Sequence, residues 1–229
     1  MKTALFCILC LFFITHPIDV NATNYSSKRI ERYVNKTPRK YENNLSSLVS
    51  FLVKPLDDDY DKAKAIAFWI ASRINYDEYL YNNGQTTKLR NKYKGQEPNE
   101  LIRSRVGICG DFAELFHAMC KKAGIKVYTI HGYTFPSNIR LSTKVKYNTG
   151  HVWNYFIYKG KKVYVDTTFM AKGTTGINRR VNNLNHNRAL KKIQRENKYK
   201  SEINEFDEFY FDFSYKDEER IRKYKRLEK

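Results

Sequence analysis

The chain has 229 residues, enough for one domain with a sizeable hydrophobic core. Lysine and arginine number 42 against 24 aspartates and glutamates, so the formal net charge is +18. A charge of this size favours adhesion to anionic polymers, lipid head groups or nucleic acid, and it does not choose among them. Only one apolar run is conspicuous, at the N-terminus, which disfavours an integral membrane protein with several spans.

The N-terminus has the pattern of a secretory signal peptide. Lys2 precedes an apolar run over residues 4–14, which is shorter than the ~20 residues that span a bilayer. The residues around Ala22 suit cleavage after that position, so residues 1–22 are predicted to be removed. We therefore expect a secreted or periplasmic protein with no transmembrane segment in its mature form. An uncleaved membrane anchor is the alternative.

Helices are predicted in the first half of the mature chain. Residues 23–40 are polar and predict a loose lead-in, and residues 41–53 have apolar positions at helical spacing. The acidic residues 57–59 can cap a second helix at its N-terminus. Residues 81–96 predict a long surface loop, and Pro98 predicts the start of a short helix.

A strong amphipathic helix is predicted over residues 109–123, ended by Gly124. After Gly124 the apolar spacing changes to that of strands, which are predicted over residues 126–135, 151–158, 161–169 and 206–213. Residues 177–200 are basic and rich in Asn, and the tail from Lys216 is charged throughout. Helices followed by a mostly antiparallel sheet indicate an α+β domain.

Two cysteines, Cys109 and Cys120, remain after the predicted cleavage. On one helix they lie about 16 Å apart along the axis, too far for a disulfide, which needs Cα atoms within about 7 Å. Cys109 begins its helix beside Gly110, where positive partial charge and free N–H groups favour a thiolate and can hold an oxyanion. We interpret Cys109 as a nucleophile and Cys120 as a core residue. Core packing is the alternative for Cys109.

A thiol nucleophile needs a base, and four histidines lie in the predicted mature chain. His117 is about 12 Å further along the same helix and towards its polar side, so it cannot reach Cys109. His186 lies in the basic segment without apolar residues around it. His131 and His151 both fall on predicted strands and remain candidates.

A hairpin favours His151 over His131. Residues 159–160 form a plausible two-residue loop between two strands. That register puts His151 opposite Thr168 and makes Asp166 its diagonal neighbour on the same face, about 7–8 Å away at the backbone. A carboxylate that holds the imidazole in one tautomer suits a Cys–His site, and His131 has no comparable neighbour. An incidental polar pair is the alternative, and a three-residue loop would reverse the faces.

At these residues the chain resembles the transglutaminase-like superfamily of papain-type thiol enzymes. Four stretches carry the resemblance: residues 61–77, 107–125, 150–154 and 163–169. The resemblance spans about residues 58–170 and implies a papain/transglutaminase-like fold. It also implies a catalytic Cys-His-Asp triad, which maps onto Cys109, His151 and Asp166 in the expected order.

Gln96, shortly before Pro98, resembles a Gln that the kyphoscoliosis-peptidase-like branch carries upstream of its Cys. The resemblance implies that Gln96 helps to hold an oxyanion, and a solvated loop side chain is the alternative. The tail departs from that branch, because residues 207–219 replace its Pro-containing motif. The predicted organisation is a signal peptide (1–22), a lead-in with one helix (23–57), a catalytic core (58–170), and a C-terminal part with basic segment, last strand and charged tail (171–229).

The leading functional hypothesis is a secreted thiol hydrolase, a peptidase or isopeptidase/amidase, acting on a protein or peptide. A protein-glutamine transamidase with the same triad is an alternative, and a catalytically silent basic binding module of the cell envelope is another. The sequence has no Cys or His spacing suited to zinc and no phosphate-binding glycine motif, so no metal or cofactor is predicted. Basic residues are predicted to contact an anionic cell-envelope polymer or lipid surface, while export disfavours nucleic acid.

Overall fold

The computed structural model describes residues 25–78, 80, 95–134, 150–173, 203–213 and 224–226. The predicted signal peptide, most of the predicted loop at 81–96, the basic segment 177–200 with His186, and most of the charged tail lie outside these described residues. Within the described part of the chain, no helix has both the length and the apolar character needed to cross a membrane.

Six helices and two short 3₁₀ turns are described. The helices are α1 (Ser27–Asn35), α2 (Leu45–Val53), α3 (Asp59–Arg73), α4 (Pro98–Ser104), α5 (Cys109–Lys122) and α6 (Thr167–Met170), and the 3₁₀ turns are Arg39–Tyr41 and Glu208–Tyr210. The central helix of the fold is α3, which packs against α1, α2, α5 and α6.

The described strands form two sheets. They are β1 (Asn75–Tyr76), β2 (Val106–Gly107), β3 (Val127–Thr134), β4 (Gly150–Tyr158), β5 (Lys161–Val165), β6 (Phe211–Phe213) and β7 (Tyr224–Arg226). Five of them form a sheet in the order β6-β5-β4-β3-β7 with antiparallel neighbours, while β1 and β2 form a parallel pair. Helix α5 packs between this sheet and α3, which confirms the predicted α+β class.

Local capping confirms the predicted start of α3, and hydrophobic burial corrects the predicted lead-in. Asp58 caps α3, since its carboxylate accepts the Tyr60 N–H at 2.8 Å.

The prediction of a loose lead-in over residues 23–40 is wrong for Ser27–Asn35, which form α1. Ile30 and Val34, one helical turn apart, are buried in the core shared with α3. The polar composition concealed this short apolar stripe.

Three other predicted elements differ from the structure. The helix predicted over residues 41–53 begins only at Leu45, where Asn44 caps it by accepting the Ser46 N–H at 2.8 Å. The strand predicted over 206–213 is a 3₁₀ turn followed by the three residues of β6. The charged tail contributes β7, which pairs with β3. Sequence reasoning missed β7 because a short edge strand takes its pairing from a partner distant in sequence.

A buried ionic cluster supports the chain just before Cys109. Glu42 accepts hydrogen bonds from Trp69 Nε1 at 3.0 Å and Arg73 Nε at 3.1 Å, and its other oxygen lies 3.1 Å from Arg105 Nη2. Arg105 is 1% exposed, its guanidinium lies 4.5 Å from the centre of the Trp69 ring, and its φ is 61°. Its carbonyl accepts the Asn75 N–H at 2.8 Å, beside the β1–β2 pair. The cluster therefore holds the strand that leads into α5.

Candidate active site

Cys109 is the first residue of α5 and is half-buried. The approach to it through β2 requires a glycine at position 107. A Cβ on Gly107 would lie 2.8 Å from Leu101 Cδ1 and 2.9 Å from Asp111 Cβ, closer than such atoms pack. Glycine therefore lets α4 and α5 come together where Cys109 begins its helix.

The predicted hairpin before Asp166 is confirmed. Lys159 and Gly160 have φ values of 47° and 75°, as a two-residue hairpin loop requires, and Tyr158 pairs with Lys161. The predicted strand over 161–169 is wrong beyond Val165, because Asp166 there caps α6. Its Oδ1 accepts the Phe169 N–H at 2.9 Å.

His151 and Asp166 are in contact, although the predicted pairing of His151 with Thr168 does not form because β5 has ended. His151 Nε2 lies 2.6 Å from Asp166 Oδ2. The two side chains are 6% and 0% exposed, so this pair is shielded from water. The imidazole ring stacks on Phe169 at 4.7 Å and on Trp153 at 5.8 Å between ring centres. These aromatic contacts, which sequence reasoning missed, fix the plane of the ring.

Cys109 joins the same group of side chains, because its side chain lies close enough to that of His151 to raise the pKa of the imidazole. Burial by itself lowers the pKa of His151, but the charge and hydrogen bond of Asp166, with smaller effects of the same kind from Cys109, raise it from 6.5 to about 10. This arrangement favours an imidazolium at His151 at neutral pH.

The raised pKa of His151 predicts how stability depends on pH. An imidazolium held in the folded state contributes stability that is fully present below the unfolded pKa of 6.5. Between pH 6.5 and about 10 the unfolded chain has lost this proton while the folded chain keeps it, so the contribution falls and is gone above about 10. We expect the difference in free energy of unfolding between the native chain and His151→Gln to shrink over this range.

Denaturant unfolding at intervals from pH 6 to pH 11 measures this difference. Lysines and tyrosines titrate in both proteins, so they largely cancel in the comparison. A difference that stays constant, or that grows with pH, would contradict the assignment of an imidazolium to His151.

The other predicted or rejected residues lie elsewhere. His131 is exposed on β3, opposite Val152. His117 is half-buried on α5 with Nδ1 3.1 Å from Thr129 Oγ1, and its helical neighbours Glu114 and Lys121 are exposed, as expected for a residue towards the polar side. Cys120 is 0% exposed in the core, as predicted, and burial raises the pKa of its thiol well above the ordinary value.

Gln96 is fixed rather than solvated. Its Nε2 donates to the Val106 carbonyl at 2.7 Å and its Oε1 accepts from Ser104 Oγ at 2.8 Å. It lines a cleft of about 430 Å³ together with Ile108 and Gly110, the two residues that flank Cys109. The oxyanion role implied for Gln96 is compatible with this position and stays a prediction. The described residues contain no group of three or more His, Cys, Asp or Glu side chains that could hold a metal ion.

Comparison with known proteins identifies the family to which this arrangement belongs. Residues 46–167, more than half of the chain, match the family model of the transglutaminase-like superfamily. The chain belongs to this superfamily. The match covers all three residues Cys109, His151 and Asp166, and it confirms the predicted papain/transglutaminase-like fold.

Two curated relatives of this transglutaminase-like chain are kyphoscoliosis peptidases. The Mus musculus protein is 29% identical over 125 residues, which cover 55% of this chain and 18% of the relative. The Homo sapiens protein is 27% identical over 142 residues, which cover 62% of this chain and 20% of the relative. The chain therefore spans about a fifth of the length of these relatives.

Solved structures show a more distant likeness to this transglutaminase-like chain. A candidate cysteine protease from Cytophaga hutchinsonii aligns with a TM-score of 0.40 and 23% identity, over 61% of this chain and 42% of its own. A TGase aligns with a TM-score of 0.41 and 16% identity, over 75% of this chain and 39% of its own.

Proposed function

We propose that the chain is a thiol hydrolase, acting on a protein or peptide, with Cys109 as nucleophile, His151 as acid and base, and Asp166 as the carboxylate that orients His151. One observation carries this proposal. The buried imidazole of His151 contacts the Asp166 carboxylate through Nε2 and interacts with the side chain of Cys109 at the start of α5. This is the arrangement that a nucleophile, a base and an orienting group need.

The proposed reaction proceeds by acyl transfer. The Cys109 thiolate attacks the substrate carbonyl, and the C–N bond breaks as the His151 imidazolium gives its proton to the leaving nitrogen. His151 then takes a proton from water, whose oxygen bonds to the acyl carbon while the C–S bond breaks. The acid leaves, and the thiolate and imidazolium are restored. N–H groups at the start of α5, with Gln96, would hold the oxyanion in both steps.

Hydrolysis is the leading candidate because it needs no second substrate, since water itself resolves the acyl-enzyme. A transamidase must keep water from the acyl-enzyme so that an amine can resolve it instead. Transamidation, either cross-linking or deamidation, with the same three residues is the second candidate function.

A single labelling experiment separates these reactions. The protein is incubated with a peptide library in H₂¹⁸O together with a tagged primary amine, and the products are read by mass spectrometry. We expect one ¹⁸O in each newly formed carboxyl group and little tagged amide. Mostly tagged product would establish transamidation. No product, together with no acyl-enzyme on Cys109, would overturn both hydrolysis and transamidation. The remaining alternative would then be a catalytically silent binding module.

Export and adhesion to an anionic surface form a second part of the proposal. The net charge of +18, together with the signal-peptide pattern of residues 1–22, supports a secreted or periplasmic protein held at an anionic cell-envelope polymer or lipid surface. Part of this charge is carried by exposed cations on and next to α1: Lys28, Arg29, Arg32 and Lys36. N-terminal sequencing of the mature protein tests the cleavage.

Retention on anionic vesicles or cell-wall material should fall steeply as salt rises. Exposed charges are screened over about 8 Å at physiological ionic strength, so contacts of this kind weaken quickly with added salt. Co-sedimentation over a series of NaCl concentrations measures the effect, with neutral phosphatidylcholine vesicles as the control. Binding that does not depend on salt, or equal binding to neutral vesicles, would contradict it.

A further inference from the structure

Asp111, in the first turn of α5, joins two parts of the site that are distant in sequence. The side chain is 3% exposed and its two oxygens accept two different backbone N–H groups. Oδ2 accepts the N–H of Ile108, the residue before Cys109, at 2.8 Å, and Oδ1 accepts the N–H of Gln96 at 2.9 Å. A single carboxylate therefore links the start of α5 to Gln96.

The surroundings of Asp111 leave little room for either link to shift. A Cβ on Gly107 would approach Asp111 Cβ to 2.9 Å and Oδ2 to 3.0 Å. Gln96 is held from its other side as well, since its side chain bonds to Ser104 and Val106. Gln96, Asp111 and the residues on either side of Cys109 line the same cleft.

The chemistry of the two links requires a carboxylate. An ionised carboxylate only accepts hydrogen bonds and offers two oxygens, whereas an amide of the same shape offers one oxygen and one NH₂ donor. Asparagine at this position would turn its NH₂ group towards one of the two N–H groups, so one link would be lost.

We propose that Asp111 is a positioning residue that holds Gln96 in register with the N–H groups at the start of α5. It acts through Gln96 and Ile108 and does not touch the substrate. The inference rests on the proposed function, because it assigns Gln96 and these N–H groups to the oxyanion of the acyl-transfer step. Geometry at such a site matters, since misplacement by 1 Å can cost about 10²-fold in rate.

The test compares acyl transfer with alkylation in the Asp111→Asn variant. Alkylation of Cys109 by iodoacetamide needs the thiolate but forms no oxyanion. We expect kcat for peptide hydrolysis to fall by about 10²-fold, with KM and the rate of alkylation within about twofold of the native protein. Glu31→Gln, which removes one carboxylate charge from α1, is the matched control and should change none of the three.

Two further variants test whether Asp111 acts through Gln96. Asp111→Glu keeps both acceptor oxygens and should recover part of kcat. In a Gln96→Ala background, Asp111→Asn should lower kcat only a little further, because the effects of two residues that act together are not additive. Unchanged kcat in Asp111→Asn, an equal fall of kcat and alkylation, or full additivity with Gln96→Ala would overturn the proposal.

Amide hydrogen exchange separates failure of this inference from failure of the proposed function. Asp111→Asn should speed exchange at the N–H of Gln96 or of Ile108, whether or not the protein turns over peptides. If the native protein shows no turnover, the proposed function fails, while the exchange result still decides whether the links exist. Unchanged exchange at both amides would overturn the positioning role directly.

Discussion

Replacement of Cys109 by alanine should abolish turnover, with a loss in kcat on the order of 10⁴–10⁶. The physical reason is that neither His151 nor Asp166 can replace the sulfur that forms the acyl-enzyme. The variant should remain folded, since Cys109 is only half-buried at the start of α5. Hydrolysis of a peptide substrate and rate-resolved iodoacetamide labelling, both read by mass spectrometry, measure the loss of activity and of the reactive thiol.

Cys120→Ala is the matched control for this prediction. Cys120 lies on the same helix but is 0% exposed, and burial raises the pKa of its thiol well above the ordinary value. Its removal should lower the free energy of unfolding by on the order of 1 kcal/mol, as the deletion of a small buried group does, and leave turnover intact. Faster labelling of Cys120 than of Cys109 in the folded protein would reverse the two assignments.

Asp166→Asn should lower kcat strongly without unfolding the protein. Asparagine keeps an oxygen that can accept the Phe169 N–H at the cap of α6, but it can turn an NH₂ group towards His151 Nε2 and favour the wrong tautomer. This change costs about 10⁴ in rate in a serine protease triad. The loss here should be smaller, because a thiolate formed before the reaction depends less on base catalysis than a serine hydroxyl does.

His151→Ala combined with Asp166→Asn tests whether the two residues act as one unit. The double variant should be scarcely slower than His151→Ala alone, because Asp166 has no imidazole left to orient. His131→Ala is the matched control, since His131 is exposed on β3 and should be dispensable. Losses of kcat that multiply in the double variant would contradict the prediction that His151 and Asp166 act together. Loss of activity in His131→Ala, with activity retained in His151→Ala, would contradict it as well.

Sequence reasoning predicted much of the fold around the site. The hairpin at Lys159 and Gly160 was predictable because a two-residue loop restricts its own backbone angles. The end of β5 at Val165 was not predicted. It depends on Asp166, which both caps α6 and contacts His151 on the neighbouring strand. Asp is a common N-cap residue, so the residues after Asp166 carried a local signal for a helix that the alternating pattern outweighed.

The sequence by itself determined the features that depend on neighbouring residues. These include the start of α5 at Cys109, the cap of α3 at Asp58 and the burial of Cys120 on an apolar helix face. Helix periodicity and capping act over a few residues, so they can be read along the chain.

Only the tertiary structure decided which distant groups meet. It ordered α1 through the burial of Ile30 and Val34, paired β7 with β3, and brought the Gln96 N–H to the carboxylate of Asp111. It also enclosed the His151 ring between Trp153 and Phe169. These contacts form between residues far apart in sequence, or through side-chain directions that only the packed core determines, so no local pattern records them.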